Sequence, residues 1–353
     1  MTTGATTAHE DEAMRRALAL AAHGPAHGPN PRVGCVLLDA DGRVLGEGHH
    51  EGAGTAHAEV AALADAQRQG RDTHGATAVV TLEPCNHRGR TGPCSRALLA
   101  AGVRRVVVAV EDPDPRAAGG ARTLRAAGVE VVAGPHRDEA LALTRYWRHA
   151  VSTGRPFVTL KWAATLDGRV AAADGTSRWL TGVAARADVH RRRATADAVL
   201  VGTGTAIVDD PWLTTRDPAR PTEPLARQPL RVVLGERGLP AGARVLDDAA
   251  ESLQLRTRDV PAALAALAER EVRHVWVEGG PTVAAAFLRA GVVDEVVTYL
   301  APAVLGSGPA AVGDLGVRTV ADVPRLQLVD VARLEGDVVV VSRPVPPPVE
   351  ESA

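Results

Sequence analysis

A histidine, a glutamate and two cysteines in the first third of the chain have the types and spacing needed for metal-assisted hydrolysis. His57 and Glu59 lie two residues apart, and Cys85 and Cys94 each follow a proline. One imidazole and two thiolates are typical of a catalytic zinc site, which keeps its fourth coordination position for water. Zinc lowers the pKa of that water to about 7, so hydroxide forms at neutral pH. We therefore predict a zinc site made by His57, Cys85 and Cys94.

Glu59 is close enough to this site to take the proton of the water without being a ligand. It could then pass the proton to a ring nitrogen and to departing ammonia. The pattern is similar to the signature of zinc-dependent base deaminases, but eight residues separate Cys85 and Cys94 where that signature has two. We predict a hydrolytic deaminase with Glu59 as its catalytic acid and base. The alternative is a closed structural zinc site, for which His87 would be the spare ligand.

Three other residues of this region could compete for the metal. Cys35 lies inside an apolar run, so we expect a buried thiol that packs like a small hydrophobic side chain. His49 and His50 follow the end of a predicted strand. We interpret them as surface or substrate-side groups rather than metal ligands.

The segments that carry these residues alternate between strands and helices. Apolar spacing predicts a first helix over residues 10–22. Two short apolar runs, 33–38 and 44–45, flank Asp41 and Gly42, a pair that favours a tight hairpin turn. Further helices are predicted over 56–67, 94–101 and 122–127, and further strands over 78–82, 103–110 and 129–133. This alternation predicts a mostly parallel sheet covered by helices.

The pattern breaks at residues 152–156, where we place a domain boundary. We predict a deaminase domain over residues 1–150, a second domain over 151–345 and a disordered tail over 346–353. Strands of the second domain are predicted over 157–162, 199–201, 230–234, 275–277 and 296–300, with a proline-rich loop over 209–229. The second domain should therefore also be of the α/β class.

A glycine turn in the second domain could bind a nucleotide. The segment 275–282 is a strand that enters Gly279 and Gly280 and is followed by a helical pattern. Free backbone N–H groups at the start of that helix could cradle a diphosphate. Gly202 and Gly204 supply only the first two glycines of a dinucleotide fingerprint, which is a weak signal. An ordinary strand-to-helix turn explains the glycine pair about equally well.

The composition excludes several classes of protein. The 353 residues suit two domains, and 45% hydrophobic with 23% charged residues is a globular balance. A formal charge of −2 gives no basic field for nucleic acid. Apolar runs long enough for a membrane span do not occur. Three cysteines are too few for a disulfide framework, so we expect a cytoplasmic protein.

Seven segments together closely resemble one known family. They read NPRVGCV at 30–36, HAEV at 57–60, TLEPCNHRGRTGPC at 81–94, LK at 160–161, TLDGR at 165–169, DDP at 209–211 and WVEGGPT at 276–282. The resemblance spans about residues 10–343 and is to the bifunctional deaminase/reductases of riboflavin biosynthesis. It implies a cytidine-deaminase-like three-layer α/β domain followed by a dihydrofolate-reductase-like α/β domain. It also implies a phosphorylated pyrimidine substrate, Zn²⁺ and NADPH as cofactors, and a homo-oligomer.

The resemblance also implies roles for individual residues. In the first domain Asn30, His87 and Arg90 would contact the substrate, Arg90 towards its phosphate. In the second domain the residues that would line the cofactor are Ala163, Trp179, Thr205, Asp209, Gly280, Pro281, Thr282, Val283, Ala284, Ala285 and Ala286. Those that would meet the substrate are Ser177, Arg193, Leu213, Arg216 and Glu278.

Reduction of a ribosyl group needs an acid that assists opening of the sugar ring and cations that hold its phosphate. Lys161, Asp209 and Glu278 are our candidate proton-handling groups, and Arg193 and Arg216 our candidates for the phosphate. Some of the residues predicted for this domain have a simpler interpretation. Asp209 could be a turn residue, residues 191–193 could be a solvated helix face, and Trp179 could pack in the core.

Two other functions are compatible with the residues taken alone. One is a zinc deaminase of another base, cytidine or tRNA adenosine, with a non-catalytic second domain. The near-neutral charge argues against tRNA. The other is a zinc-stabilised scaffold protein that binds no nucleotide. Glu59 discriminates between these readings, because a scaffold has no use for a carboxylate beside its metal.

Overall fold

The computed structural model describes residues 5–87, 92–217 and 220–345. The chain divides into two compact units between Gly154 and Arg155. Within the described residues, none of the helices has both the length and the apolar character needed to cross a membrane. Each unit has its own sheet and its own core, built mainly from alanine, valine and leucine side chains.

Over the described residues 5–87 and 92–154, the first unit has a five-stranded sheet and six α-helices. The strands are β1 (Gly34–Leu38), β2 (Val44–His49), β3 (Thr77–Leu82), β4 (Arg105–Val110) and β5 (Glu130–Ala133). The helices are α1 (Ala8–Ala21), α2 (Ala58–Arg68), α3 (Cys94–Ala100), α4 (Gly120–Ala126), α5 (Arg137–Leu143) and α6 (Arg145–Thr153). The strand order is β2-β1-β3-β4-β5.

The sheet of the first unit is mixed, so the prediction of a mostly parallel sheet is wrong for its first half. β1 is antiparallel to both β2 and β3, whereas β3, β4 and β5 are parallel. The predicted hairpin explains the first antiparallel pair, because Gly42 has a φ of 82° and reverses the chain without a crossover helix. The pairs β3–β4 and β4–β5 are parallel because a helix connects the two strands of each pair.

Helix α1 begins two residues before its predicted start because a capping box precedes it. The Thr7 side chain accepts a hydrogen bond from the Glu10 backbone N–H, and the Glu10 carboxylate accepts one from the Thr7 N–H. These two bonds satisfy N–H groups that the helix itself leaves without partners. Arg105 also donates to Glu10 over 2.6 Å, which ties α1 to β4.

Within residues 155–217 and 220–345, the second unit has an eight-stranded sheet, four α-helices and a separate small hairpin. The strands of the sheet and hairpin are β6 (Phe157–Thr165), β7 (Ala198–Gly202), β8 (Arg216–Asp217), β9 (Arg220–Pro224), β10 (Leu230–Leu234), β11 (Ser252–Leu255), β12 (His274–Val277), β13 (Glu295–Ala301), β14 (Leu326–Leu334) and β15 (Asp337–Pro344). The helices are α7 (Val183–Arg193), α8 (Thr203–Val208), α9 (Val260–Glu269) and α10 (Pro281–Arg289). The order in the large sheet is β11-β10-β7-β12-β6-β13-β15-β14.

Six neighbouring strands of this sheet, from β11 to β13, are parallel, and β15 and β14 continue it in antiparallel fashion. The carboxyl ends of β6, β7, β10 and β12 therefore share one edge, which is where ligands bind in open α/β sheets. The proline-rich segment 209–229 was predicted as a loop, but it contains the β8–β9 hairpin. Sequence patterns also missed β11, β14 and β15.

Candidate functional site

The three predicted zinc ligands come from three different elements of the first unit. His57 is the N-cap residue of α2, Cys85 lies in the loop after β3, and Cys94 is the first residue of α3. The Nδ1 atom of His57 lies 3.5 Å from the Cys85 sulfur and 3.3 Å from the Cys94 sulfur. All three ligand atoms lie within 4.8 Å of one another. This spacing and this donor set fit a tetrahedral zinc ion with one position left for water.

The group contains no fourth ligand among the residues that the structure describes. His87, the residue that a closed structural site would need, does not belong to it. The Nδ1 atom of His87 is instead buried without a hydrogen-bond partner in the described residues. Arg90, the other predicted substrate contact of this loop, lies outside the described residues. The observed arrangement favours an open site over a closed one.

Hydrogen bonds connect the two cysteines to each other. The backbone N–H of Cys94 points at the Cys85 sulfur over 3.4 Å, and the Ser95 N–H donates to the Cys85 carbonyl. A hydrogen bond from Cys94 lowers the pKa of the Cys85 thiol to about 4, and the same bond raises the pKa of Cys94. One thiolate is thus already favoured, which is the form that binds zinc.

Glu59 lies in the first turn of α2 and is almost fully buried, with 3% of its surface exposed. Burial raises the pKa of its carboxyl group to about 7. A carboxyl group with this pKa can both accept and return a proton near neutral pH. The side chain also makes a hydrogen bond with Cys94, so it lies directly beside the ligand group.

Asn30 is held by a histidine whose role the sequence analysis missed. The Nδ2 atom of Asn30 lies 2.9 Å from Nε2 of His50, and Nδ1 of His50 lies 3.0 Å from the carbonyl oxygen of Ala56. A carbonyl only accepts, so His50 donates from Nδ1 and its Nε2 accepts from the Asn30 amide. His50 is 4% exposed, so of the two predicted alternatives the surface group is wrong for it and the substrate-side group stays a prediction.

Glu83 positions the loop that carries Cys85. Its carboxylate accepts hydrogen bonds from the backbone N–H groups of Asp112, Gly119 and Ala121. A Cβ atom on Gly120 would lie 1.7 Å from the Pro84 carbonyl oxygen, so only glycine allows the start of α4 to pack there. Local sequence does not predict that Glu83 binds backbone groups so far along the chain.

In the second unit, a cavity of about 570 Å³ lies at the carboxyl ends of the parallel strands. It gathers most of the residues that the family resemblance implied. Those that line it are Lys161, Ala163, Ser177, Trp179, Arg193, Thr205, Asp209, Leu213, Arg216, Glu278 and Gly280. Beyond Gly280 the side chains of Ala284 and Ala285 are buried in the core. None of residues 281–286 lines the cavity, so their contact with a cofactor stays a prediction.

Glu278 is the centre of a buried charge cluster in this cavity. Its carboxylate accepts two hydrogen bonds from the Arg193 guanidinium and one from the Trp276 indole, and lies 3.8 Å from the Lys161 ammonium. Although burial opposes it, the charges of Arg193 and Lys161 lower the pKa of Glu278 to about 2. Burial lowers the pKa of Lys161. Glu278 is therefore ionised, and Lys161 is the group that loses a proton more readily than usual.

Arg193 is not part of a solvated helix face. Only 14% of its side chain is exposed, and its third donor group binds the Thr214 carbonyl oxygen. Arg191 and Arg192 bind a different carboxylate, that of Asp188 on the same helix, over 2.8 Å. The interpretation of these three arginines as one solvated surface is therefore wrong for Arg193.

Trp179 and Asp209 stand at the wall of the cavity. Trp179 is 70% exposed and its ring lies 4.6 Å below the Arg186 guanidinium, so the core-packing interpretation is wrong. Asp209 follows the last residue of α8; its N–H donates to the Thr205 carbonyl, and its own carbonyl accepts from Arg178. Asp209 thus ends a helix and also lines the cavity.

Both halves of the chain match known protein families. Residues 7–110 match the cytidine and deoxycytidylate deaminase zinc-binding region, and residues 156–340 match the RibD C-terminal domain. The chain is 48% identical to a riboflavin biosynthesis protein RibD of Mycobacterium tuberculosis over 310 residues, 88% of this chain and 89% of that protein. It is 39% identical to the protein of the same name from Escherichia coli, covering 92% and 96% of the two chains.

Solved structures agree over nearly the whole length. A structure of Acinetobacter baumannii RibD superposes with a TM-score of 0.86 at 38% identity, covering 96% of this chain and 99% of that chain. A Thermotoga maritima diaminohydroxyphosphoribosylaminopyrimidine deaminase/5-amino-6-(5-phosphoribosylamino)uracil reductase gives the same TM-score and coverage at 34% identity. These matches confirm the predicted fold classes and leave no support for a scaffold or for a non-catalytic second domain. The chain belongs to the RibD family, the bifunctional zinc-dependent deaminases and NADPH-dependent reductases of riboflavin biosynthesis.

Proposed function

We propose that the first unit hydrolyses 2,5-diamino-6-ribosylamino-4(3H)-pyrimidinone 5′-phosphate to the corresponding uracil. The second unit then reduces the ribosyl group of that product to ribityl with NADPH. The observation that supports this most directly is the group of His57, Cys85 and Cys94 beside the buried Glu59, in a chain whose second unit carries the Glu278 charge cluster. The relative from Thermotoga maritima is named for both reactions.

In the deamination, His57, Cys85 and Cys94 would hold zinc, which would supply hydroxide at neutral pH by lowering the pKa of a bound water. Glu59 takes one proton from that water and gives it to the ring nitrogen, then carries the proton of the added hydroxyl group to the leaving amino group, which departs as ammonia. Asn30, oriented by His50, hydrogen-bonds the pyrimidine. His87 and Arg90 contact the substrate from the loop between the cysteines.

In the reduction, the sugar ring would open to an imine, bound NADPH would supply a hydride to C1, and a protein group would supply a proton to the imine nitrogen. We propose that Lys161 supplies a proton, since burial lowers its pKa. Glu278 orients Lys161 and carries the compensating charge. Asp209 remains a second candidate for proton transfer, because it lines the same cavity. Ser177, Leu213 and Arg216 contact the substrate from the cavity wall.

Mass spectrometry of the purified protein with the diaminopyrimidinone phosphate tests both steps. Without NADPH we expect a gain of about one mass unit, because OH replaces NH₂. With NADPH we expect a further gain of about two units, because a hydride and a proton are added. An unchanged substrate mass would refute the deaminase assignment. A product that stops at the first gain with NADPH present would refute the reductase assignment.

Gly280 offers a test of the proposed cofactor site. It is the N-cap residue of α10, and a Cβ atom there would meet only Thr205 Oγ1, at 3.7 Å. Gly280→Asp should weaken NADPH binding at least about 10-fold, because it places a negative charge where the helix N-terminus would bind the diphosphate. Gly280→Ala adds the Cβ without the charge and should bind nearly normally. Calorimetry that finds wild-type affinity for the aspartate variant would remove the diphosphate from this position.

We also propose that the protein is a homo-oligomer that pairs through β14. This strand is at the edge of its sheet and exposes the apolar side chains of Leu326, Leu328, Val329 and Val331. An exposed apolar edge strand is a template for pairing with another chain. Val331→Lys should therefore lower the mass found by sedimentation, whereas Val320→Lys, at an exposed residue outside β14, should not. A wild-type protein that sediments as a monomer would contradict the proposal.

A cytoplasmic location is the remaining part of the proposal. Cys35, Cys85 and Cys94 are all free thiols, and these are the only cysteines of the sequence. Free thiols at a metal site persist best in a reducing compartment. Cell fractionation would test this location directly.

A further inference from the structure

One face of helix α7 lines the reductase cavity. Arg186, Val189, His190 and Arg193 all belong to the cavity wall, and their spacing places them on one side of the helix. The last turn of α7 carries four consecutive basic residues, 190–193. Three of them have carboxylate partners, Asp188 for two and Glu278 for the third. His190 is the one that faces the cavity without such a partner among the described residues.

The hydrogen bond of His190 decides which of its ring nitrogens carries the proton. Its Nδ1 atom lies 3.3 Å from the backbone N–H of Arg216, and a backbone N–H can only donate. Nδ1 is therefore the acceptor, and in the neutral ring the proton is on Nε2. The described residues provide no hydrogen-bond partner for that N–H, although the residue lines the cavity.

The surrounding charges keep this imidazole neutral. Burial and the charge of Arg193 lower the pKa of His190 to about 4, with Arg216 acting in the same direction and Glu278 against it. At physiological pH the free protein therefore presents a fixed neutral N–H donor. Its orientation does not depend on titration in the neutral range.

The two arginines beside His190 are not equally available to a ligand. Each of the three guanidinium nitrogens of Arg193 already donates to Glu278 or to the Thr214 carbonyl, and Glu278 balances its charge. In the described part of the chain, Arg216 makes no ion pair with a carboxylate, and its guanidinium lies 5.4 Å from the ring centre of Trp212. An anion that enters the cavity at this wall would therefore meet Arg216 and His190 rather than Arg193.

We propose that His190 is a substrate-binding residue of the reductase cavity, whose Nε2–H donates to the phosphate of the phosphorylated sugar substrate beside the Arg216 guanidinium. This rests on the proposed reductase function, and it replaces the expectation from the sequence that Arg193 contacts the phosphate. Arg193 instead holds Glu278. The geometry thus separates a residue that positions the buried carboxylate from a residue that recognises the anion.

Steady-state kinetics with 5-amino-6-(5-phosphoribosylamino)uracil and with the same riboside lacking its phosphate test this assignment. His190→Leu removes the donor and should raise the KM of the phosphorylated substrate by about 10- to 100-fold. It should leave the KM of the unphosphorylated riboside and the affinity for NADPH nearly unchanged. His190→Gln keeps an N–H donor and an acceptor, and it should recover most of the lost affinity for the phosphorylated substrate.

An equal rise of KM for both substrates in His190→Leu would overturn the phosphate contact. Equal losses in the leucine and glutamine variants, together with weaker NADPH binding, would show a structural role and overturn it as well. The deaminase rate of each variant reports on the integrity of the chain. Failure of the wild-type protein to turn over either substrate with NADPH would instead refute the reductase function itself, so the two failures are distinguishable.

Discussion

Replacement of Glu59 by glutamine should lower the deamination rate by about 100- to 10,000-fold while the protein keeps its zinc. The substitution preserves the size of a side chain that is almost fully buried, and it removes only the group that can take a proton from water. His57, Cys85 and Cys94 are untouched, so the metal should stay bound. Stopped assays of ammonia release, combined with elemental analysis of the purified variant, measure both quantities.

Two controls make this result specific. Cys94→Ser removes a ligand and should lose both the metal and the activity, in contrast to Glu59→Gln. The reductase rate with 5-amino-6-(5-phosphoribosylamino)uracil should be that of the wild-type protein in Glu59→Gln, because the second unit has its own core. Normal ammonia release by a zinc-loaded glutamine variant would show that Glu59 is not the proton carrier.

Replacement of Glu278 by glutamine should destabilise the second unit by about 3–5 kcal/mol and abolish the reductase activity. The carboxylate is the shared partner of Arg193 and Lys161, and all three side chains are largely buried, with 13–16% exposed. Without the Glu278 carboxylate, the positive charges of Arg193 and Lys161 would lie close together in a buried position with no negative charge to balance them. Urea unfolding followed by circular dichroism measures the loss of stability.

A second ion pair of the same unit provides the matched control. Glu251 and Arg270 are bonded to each other at the surface, with 66% and 45% of their side chains exposed, so Glu251→Gln should cost less than about 1 kcal/mol. Arg193→Gln combined with Glu278→Gln should lose less than the sum of the two single variants, because they share one interaction. Losses that simply add, or a Glu278 variant no less stable than the Glu251 control, would mean that the buried cluster does not stabilise the fold.

The stability that the Arg193–Glu278 pair contributes should depend on pH, and the sign of this dependence follows from the pKa of Glu278. That pKa is about 2 in the folded protein, below the ordinary value of 4.5. The ionised carboxylate therefore contributes stability above pH 4.5, and this contribution is lost as the pH falls from 4.5 towards 2. Glu278→Gln should lack this part of the acid dependence. Parallel unfolding curves of both proteins between these pH values provide the comparison.

Local sequence predicted the elements whose signal is local. The runs of valine in β3 and β4 and the turn at Gly42 predicted strands and a hairpin in the right places. The spacing of His57, Cys85 and Cys94 predicted a group that the fold does bring within 4.8 Å. Such predictions succeed because period, turn chemistry and ligand type are properties of a few neighbouring residues.

Pairings between distant residues had no such signal. His50 reads as a residue after a strand until the fold places it against Asn30, and Glu83 reads as a strand end until it caps α4. The proline-rich segment read as a loop because β8 is only two residues long and pairs with a strand that contains prolines. In each case the partner that gives the residue its role is distant or weakly patterned.

By itself the sequence determined the chemistry available to this protein: two domains, a three-ligand metal site with a carboxylate beside it, and candidate arginines for a phosphate in the second domain. Only the tertiary structure decided how those charges are shared. Arg193 and Arg216 are both arginines that the resemblance assigned to the substrate, yet one is bonded to Glu278 and the other has no carboxylate partner among the described residues. The reason is physical. A guanidinium has a limited number of donors, and the contacts between strands and helices far apart in the chain determine which acceptors lie beside it.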